Sequence, residues 1–260
     1  MIYEILFSST GRAEKILNII SNNWDEEKTR IDLSDKNFNG SNYTFSEDDL
    51  CIVTTSVVEG RMLVPAAQRL AQLKGNGAKA IMVNVFGSRA VDNAMAEMNN
   101  ILVNTGFVPV AAMEVPVQHS LMTQVEPNRP TEEDIAALVQ FTKMIKTELA
   151  EKTEFDELSV PGEIIDAPPT NPPFKPKANR KCTNCGLCAE KCPVGAIPMD
   201  NPAITDKSIC ITCMRCVEIC PVDARNLSKP LIGLLYRYLK PKFAGHRPNK
   251  LYMGKDVFAK

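Results

Sequence analysis

Cys182-Thr-Asn-Cys185-Gly-Leu-Cys188-Ala-Glu-Lys-Cys192-Pro193-Val194 is matched 28 residues later by Cys210-Ile-Thr-Cys213-Met-Arg-Cys216-Val-Glu-Ile-Cys220-Pro221-Val222. Both copies read C-x2-C-x2-C-x3-C-P, an internal repeat that implies two pseudo-symmetric halves. Eight of the nine cysteines lie here, a density that means either a disulfide framework or a metal site. The N-terminal MIYEILFSSTGR carries no basic n-region and no long apolar run, so no export signal is visible and a cytoplasmic protein is expected. Thiols stay reduced there, which favours metal. Structural zinc takes two ligand pairs across a longer gap rather than four cysteines at 2-2-3 spacing. Cysteines used only as small buried hydrophobes would not recur in fixed register.

The run resembles that of bacterial-type two-cluster ferredoxins over about residues 178–228, with all eight ligand positions matched. In that pattern the fourth cysteine ligates the other cluster. The resemblance therefore implies one [4Fe–4S] cluster on Cys182, Cys185, Cys188 and Cys220, and a second on Cys210, Cys213, Cys216 and Cys192. It also implies low-potential, one-electron transfer. Cys51 lies apart, in a strand candidate, and is expected to be a core thiol.

Upstream of the repeat, six of the sixteen residues from Pro161 to Pro176 are proline. Proline lacks an amide N–H and resists helix, so residues 153–177 read as a semi-rigid linker that marks a domain boundary. Residues 1–152 alternate strand and helix signals. Apolar, mostly aliphatic runs at residues 2–7, 30–33, 50–54, 80–85 and 108–115 read as strands. Residues 12–21, 65–74, 90–104 and 131–152 read as helices, the last opening on a capping box at Thr131 to Asp134. Five strands alternating with helices predict an open parallel sheet covered on both faces, an α/β fold. The total of 260 residues is comfortable for two domains.

Ligands of such sheets bind at the carboxyl ends of the strands, beside the topological switch point. Ser8, Ser9, Thr10, Gly11, Arg12 and Ala13 follow the first strand and lead into a helix, where hydroxyls and free amides can cradle an anion. Thr54, Thr55 and Ser56 open the expected loop 54–61 after the third strand, and Phe86, Gly87, Ser88 and Arg89 follow the fourth. The order of these elements resembles a flavodoxin-like doubly wound parallel sheet, and with the cysteine repeat it resembles the fused flavodoxin–ferredoxin proteins. The segments FSSTGRAEKI, EGRMLVPAAQRL, GNGAKAIMVNVFGSRAVDNAMAEM and NRPTEEDI carry that likeness. The resemblance implies FMN, with residues 8–13 lining its phosphate and Thr54 to Gly60 and Phe86 to Arg89 flanking its ring. Two departures stand out: Ala13 supplies no hydroxyl at the end of the phosphate loop, and Val57, Val58 and Val91 stand where the family often has an aromatic. Phe86 is then the stacking candidate. Glu59, Arg61 and Arg89 read first as solvated charges. His119 and His246, the only histidines, imply no catalytic pair.

The formal charge of -1 argues against nucleic-acid binding through phosphate neutralisation, yet it conceals a polar chain. Residues 226–260 hold eight Lys or Arg against one Asp, a basic tail of +7. Within the tail (229–260), residues 234–243 (LLYRYLKPKF) have the composition of a basic aromatic membrane-surface patch, but they are expected instead to pack back on their own domain or to dock an acidic redox partner. The apolar run 231–235 is far short of a membrane span.

The expectation is thus a flavodoxin-like domain (1–152), a linker (153–177), a small α+β two-[4Fe–4S] ferredoxin domain (178–228) and a basic tail (229–260). It would act as an electron carrier or oxidoreductase with redox partner proteins, passing electrons within one chain or across a homodimer. The alternatives are a ferredoxin whose flavodoxin-like domain is a flavin-free docking module, and an FMN reductase of an organic substrate fed by the clusters.

Overall fold

The computed structural model describes residues 1–167, 171–245 and 247–260. Pro168, Pro169 and Thr170 of the proline run, and His246, lie outside the described residues. The chain opens with β1 (Ile2–Phe7), α1 (Arg12–Ser21), β2 (Lys28–Asp32), β3 (Leu50–Val58), β4 (Arg61–Met62), α2 (Val64–Leu70), β5 (Lys79–Phe86), α3 (Ala94–Asn104), β6 (Val108–Pro116) and α4 (Glu132–Glu151). It continues through β7 (Lys177–Ala178), α5 (Leu187–Glu190), α6 (Arg215–Glu218), β8 (Arg225–Asn226), α7 (Lys229–Leu239), β9 (Lys250–Met253) and β10 (Asp256–Ala259).

Five parallel strands run in the order β2-β1-β3-β5-β6. Counting only these, the order is 2-1-3-4-5, the flavodoxin-like arrangement with its switch point between the first and third strands. Strand alternation divides the interior into two cores. On β3, Cys51 and Val53 face the core that holds Ala66 and Leu70 of α2 and Met95, Met98 and Leu102 of α3. Ile52 faces the other core, with Ile16, Leu17 and Ile20 of α1 and Leu138, Phe141 and Ile145 of α4. Cys51 is a fully buried core thiol, its pKa pushed up by burial. The buried stripe Ala13, Ile16, Leu17 and Ile20 is the helical i, i+3, i+4, i+7 pattern that seats α1 on the sheet. α4 starts with the expected reciprocal box: Thr131 Oγ1 accepts from the Asp134 N–H, and Asp134 Oδ2 accepts from the Thr131 N–H.

Three features depart from the expectations. First, residues 54–61 are not an open loop. β3 continues through Thr54, Thr55 and Ser56 to Val58, and a two-residue turn returns the chain as β4, with Val57 opposite Met62 and Val58 opposite Arg61. Glu59 (φ 50°) and Gly60 (φ 78°) are both left-handed, which such a turn needs at its two central positions. A Cβ on Gly60 would also meet Asp92 Cβ at 2.6 Å.

Second, the segment after α4, expected as a semi-rigid spacer, is held by contacts with the first domain. Leu158 is buried in the α2/α3 core, the Ser159 N–H donates to Gly254 O, and Arg61 reaches Ala167 O. Third, the end of the basic tail belongs to the large sheet. β9 pairs antiparallel with β6, Leu251 opposite Met113 and Tyr252 opposite Ala112, and β10 pairs with β9. Leu251 is fully buried among α1/α4-side residues, while the Tyr252 hydroxyl donates to the Glu114 carboxylate. Asn249 Nδ2 donates to Asp134 at 2.8 Å, and Arg129 pairs with the same carboxylate. No helix among the described residues is long and apolar enough to cross a membrane.

Candidate functional site

The cysteine repeat folds as a structural repeat. Asn184 (φ 55°) corresponds to Thr212 (φ 54°), Gly186 (79°) to Met214 (66°), and Gly195 (67°) to Asp223 (49°), each pair 28 residues apart. The first two pairs turn the backbone between thiols, so successive Sγ atoms face one volume, and the third turns it just after the fourth cysteine of each repeat. Met214 holds without glycine a conformation that costs an L-residue roughly 1–2 kcal/mol. β7 and β8 pair antiparallel and close the ends of the unit, Lys177 opposite Asn226.

Two small cavities result. One is lined by Cys182, Cys185, Cys188 and Cys220, the other by Cys192, Cys210, Cys213 and Cys216. Each gathers three cysteines of one repeat and the fourth of the other. Pro202 and Pro221 shield the first, and Pro176, Pro193 and Ile197 the second. Among the described residues no three His, Cys, Asp or Glu side chains converge to hold a single metal ion; each foursome rings a volume instead. The fourth cysteine of each repeat accepts an equivalent backbone hydrogen bond, Ala196 N–H to Cys192 Sγ and Ala224 N–H to Cys220 Sγ, both at 3.2 Å.

The thiols are electrostatically unequal. Burial pushes Cys213 up to about 11 and Cys216 up to about 12, and raises Cys188 as well. Burial would raise Cys220 too, but the backbone N–H groups of Val222, Ala224 and Arg225 outweigh it and hold this thiol below its ordinary value. Iron takes thiolate, and N–H groups aimed at sulfur favour that form. The donor set and apolar walls suit an iron–sulfur cluster.

At the other domain, the expected cofactor residues converge at the carboxyl edge of the sheet. β1, β3 and β5 are neighbours, Phe7 lies opposite Thr55, and Thr55 lies opposite Asn84. Ser8, Ser9 and Thr10 are all buried, and Gly11 (φ 74°) leads into α1 with no side-chain cap on that helix. Ser8 Oγ accepts from the Glu14 N–H at 3.2 Å. Arg12 bonds Thr10 O and, at 2.6 Å, Gln118 Oε1. Ala13 packs into the core. Ser9 Oγ, the Thr54 and Thr55 hydroxyls and the Asn84 amide are buried and have no hydrogen-bond partner among the described residues. These orphaned groups and the uncapped helix start suit the phosphate end of FMN.

The ring end is different. Phe86 is the last residue of β5, buried and in register with Val57 and Pro116, so it offers no open stacking platform. Ser88 Oγ donates to Val117 O, Arg89 pairs with Asp92, and Arg61 pairs with Glu97. Thr54, Thr55 and Ser56 lie within a strand, two of them fully buried, so they do not form a ring-flanking loop.

The cysteine unit sits over this same edge. Ile211 and Cys213 pack against the α2/α3 core, Arg69 donates to Pro193 O at 2.7 Å, and Arg12 pairs with Glu218. Lys175 Nζ, on the segment between the domains, donates to Cys210 O at 2.7 Å. Sequence reasoning missed Lys175, Arg69 and Arg225 as supports of the site. Only Arg225 left a trace, as a break in the repeat opposite Ile197.

These features define a flavodoxin-like domain fused to a small ferredoxin-like domain that binds [4Fe–4S], an electron-transfer protein. Residues 181–225 match the 4Fe-4S dicluster domain family. Among solved structures, the chain is similar to the flavodoxin of Streptococcus pneumoniae TIGR4, at 22% identity over 57% of this chain and 99% of that one, TM-score 0.43. It is also similar to oxidised flavodoxin 1 from Bacillus cereus, at 14% identity over 56% of this chain and 97% of that one, TM-score 0.35. At that level of similarity the strand order, not the alignment, carries the fold assignment. No curated protein matches the chain.

Proposed function

We propose that the chain passes electrons between FMN and two [4Fe–4S] clusters, and through them to or from redox partner proteins in the cytoplasm. The supporting observation is the pairing of Arg12 with Glu218, because it joins the candidate phosphate loop to the helix that carries the candidate cluster ligand Cys216. On this reading Cys182, Cys185, Cys188 and Cys220 hold one cluster, and Cys192, Cys210, Cys213 and Cys216 the other. Ser9, Thr10 and the amides of Arg12 and Ala13 bind the phosphate, while the cysteine unit and residues 158–167 exclude water from the strand ends. When bound, FMN accepts two electrons and releases them singly, whereas each cluster carries one, so the pair converts between two-electron and one-electron chemistry.

A second reading has its own support. Ser8, Ser9 and Thr10 are buried, Arg12 is paired to the cysteine unit, and Phe86 gives no platform, as a flavin-free docking domain would have it. Anaerobic purification followed by acid release and quantification of flavin, iron and sulfide separates the two. About eight irons with one FMN per chain supports the converter, and about eight irons without flavin, even after reconstitution, replaces it with the docking module. A reductase of an organic substrate would need, in addition, substrate-dependent reoxidation of the reduced protein.

A further inference from the structure

We propose that Arg225 is an electrostatic lever shared by the two clusters, one cation that raises the reduction potential of both. The proposal rests on the two-cluster reading. The 28-residue repeat places Ile197 and Arg225 at equivalent positions, each following the alanine that caps the fourth cysteine. In the first half the position is an ordinary buried aliphatic. In the second it is a guanidinium only 2% exposed.

That guanidinium is held between the cavities. Nη1 donates to Cys188 Sγ at 3.8 Å and to Pro202 O at 2.5 Å. Nη2 donates to Pro176 O at 3.4 Å and to Thr205 Oγ1. Cys188 and Pro202, which Nη1 bonds, line one cavity, and Pro176 and Thr205, which Nη2 bonds, line the other. Cys188 and Cys216 are equivalent third cysteines of the two repeats, one lining each cavity. A single guanidinium therefore bonds a thiol of the first foursome and, through its other nitrogen, the wall of the second cavity.

The charge balance points the same way. None of the ion pairs among the described residues includes Arg225, and its Nε has no hydrogen-bond partner. A buried cation is costly unless paired, and the candidate anions around it are thiolates. A [4Fe–4S] core with four thiolates carries two negative charges when oxidised and three when reduced, one electron having been added to the core. A neighbouring cation stabilises the more negative state, in a low-dielectric site where screening is weak. Placed between two clusters, it also moderates the repulsion that the first added electron exerts on the second.

A purely structural role, stapling the Pro176 and Pro202 carbonyls, would leave the potentials alone. The test is an anaerobic redox titration of the cluster-loaded full chain, followed by electron paramagnetic resonance, for the wild type, Arg225→Gln, Arg225→Lys and Thr205→Val. Iron and sulfide are counted first. Arg225→Gln is expected to reduce the equilibrium constant for reduction of each cluster about tenfold, about 59 mV for a one-electron step, while Arg225→Lys keeps most of it. Wild-type potentials in a fully loaded Arg225→Gln, a shift in one cluster only, or equal shifts in Gln and Lys would each overturn the proposal. If Arg225→Gln does not assemble clusters, Thr205→Val decides: loss of the Thr205 anchor should move both potentials in the same direction, and unchanged potentials reject the lever. A wild type with fewer than about eight irons defeats the two-cluster reading and the proposal together. A fully loaded set with unmoved potentials defeats the proposal alone.

Discussion

Arg12 Nη1 lies 3.3 Å from Glu218 Oε2, pairing the first residue of α1 with the last residue of α6 across 206 positions of sequence. The pair ties the candidate phosphate loop to the cysteine unit. Glu218 is about half exposed, so water screens the attraction. A double-mutant cycle of Arg12→Gln and Glu218→Gln, read by urea unfolding under anaerobic conditions, should give a coupling of about 0.2–1 kcal/mol. A larger coupling would mean that the two domains are locked by charge. The smaller value leaves docking to the apolar contact of Ile211 and Cys213 with the α2/α3 core.

The crossed lining of the cavities makes a sharp prediction for the fourth cysteines. Cys192 belongs by sequence to the first repeat but lines the cavity of Cys210, Cys213 and Cys216. Cys192→Ser should therefore damage the cluster of the second repeat and leave that of the first, and Cys220→Ser should do the reverse. Iron per chain should fall by up to about four in each, and the surviving spectra should differ between the variants. The spectrum that survives in Cys192→Ser should be the one that Cys185→Ser removes; if it is instead the one that Cys213→Ser removes, each repeat closes on its own fourth cysteine.

Much of this architecture is legible in the chain because its determinants are local. The parallel strands are buried on both faces, so residues 50–53 of β3 and 80–83 of β5 read as apolar runs. Thiol spacing is equally local. The β3–β4 hairpin was readable in principle from Glu59-Gly60 between apolar pairs, but its hydroxyl-rich strand, Thr54 to Ser56, looks like a loop. β9 and β10 carry no such signal. Their four-residue strands acquire meaning only through the free edge of β6, about 140 residues away in sequence, and their charge makes them read as a tail. Arg225 was hidden for a similar reason: its value depends on two cavities that exist only after both repeats have folded.

His119 gives the fold a pH dependence of known sign. Burial first, then the Arg12 and Arg89 guanidiniums, push its pKa down to about 4. Its Nδ1 accepts the backbone N–H groups of Leu121 and Met122 at 3.1 and 3.3 Å, so the neutral ring is the one that fits. An unfolded histidine titrates near 6.5. Between these values the unfolded chain binds the proton more readily, so this residue's contribution is complete above about 6.5 and is lost as pH falls toward 4. Going from pH 7 to 5.5 should cost about 1 kcal/mol from this group. His119→Asn, which keeps an acceptor but does not titrate, should flatten that part of the profile in urea unfolding curves. An unchanged slope would place the titration elsewhere.

The returning tail predicts that the C-terminal strands are part of the flavodoxin-like core rather than an appendage. Leu251 is fully buried beside Met113 and Phe141-side residues of the α1/α4 core, and Leu251→Ala removes its branched side chain from a packed site. The expected loss is about 2–5 kcal/mol, against a change within about 0.5 kcal/mol for Val257→Thr on the exposed face of β10. Both are measured by chemical unfolding of the cluster-loaded chain, followed at a probe of the large sheet. Because β9 covers the edge of β6, the weakened variant should also expose unpaired backbone there and lose hydrogen-exchange protection first at Ala112, Met113 and Glu114. If Leu251→Ala unfolds no more easily than Val257→Thr, the tail does not contribute to the core, and the β6 edge must be stable without it.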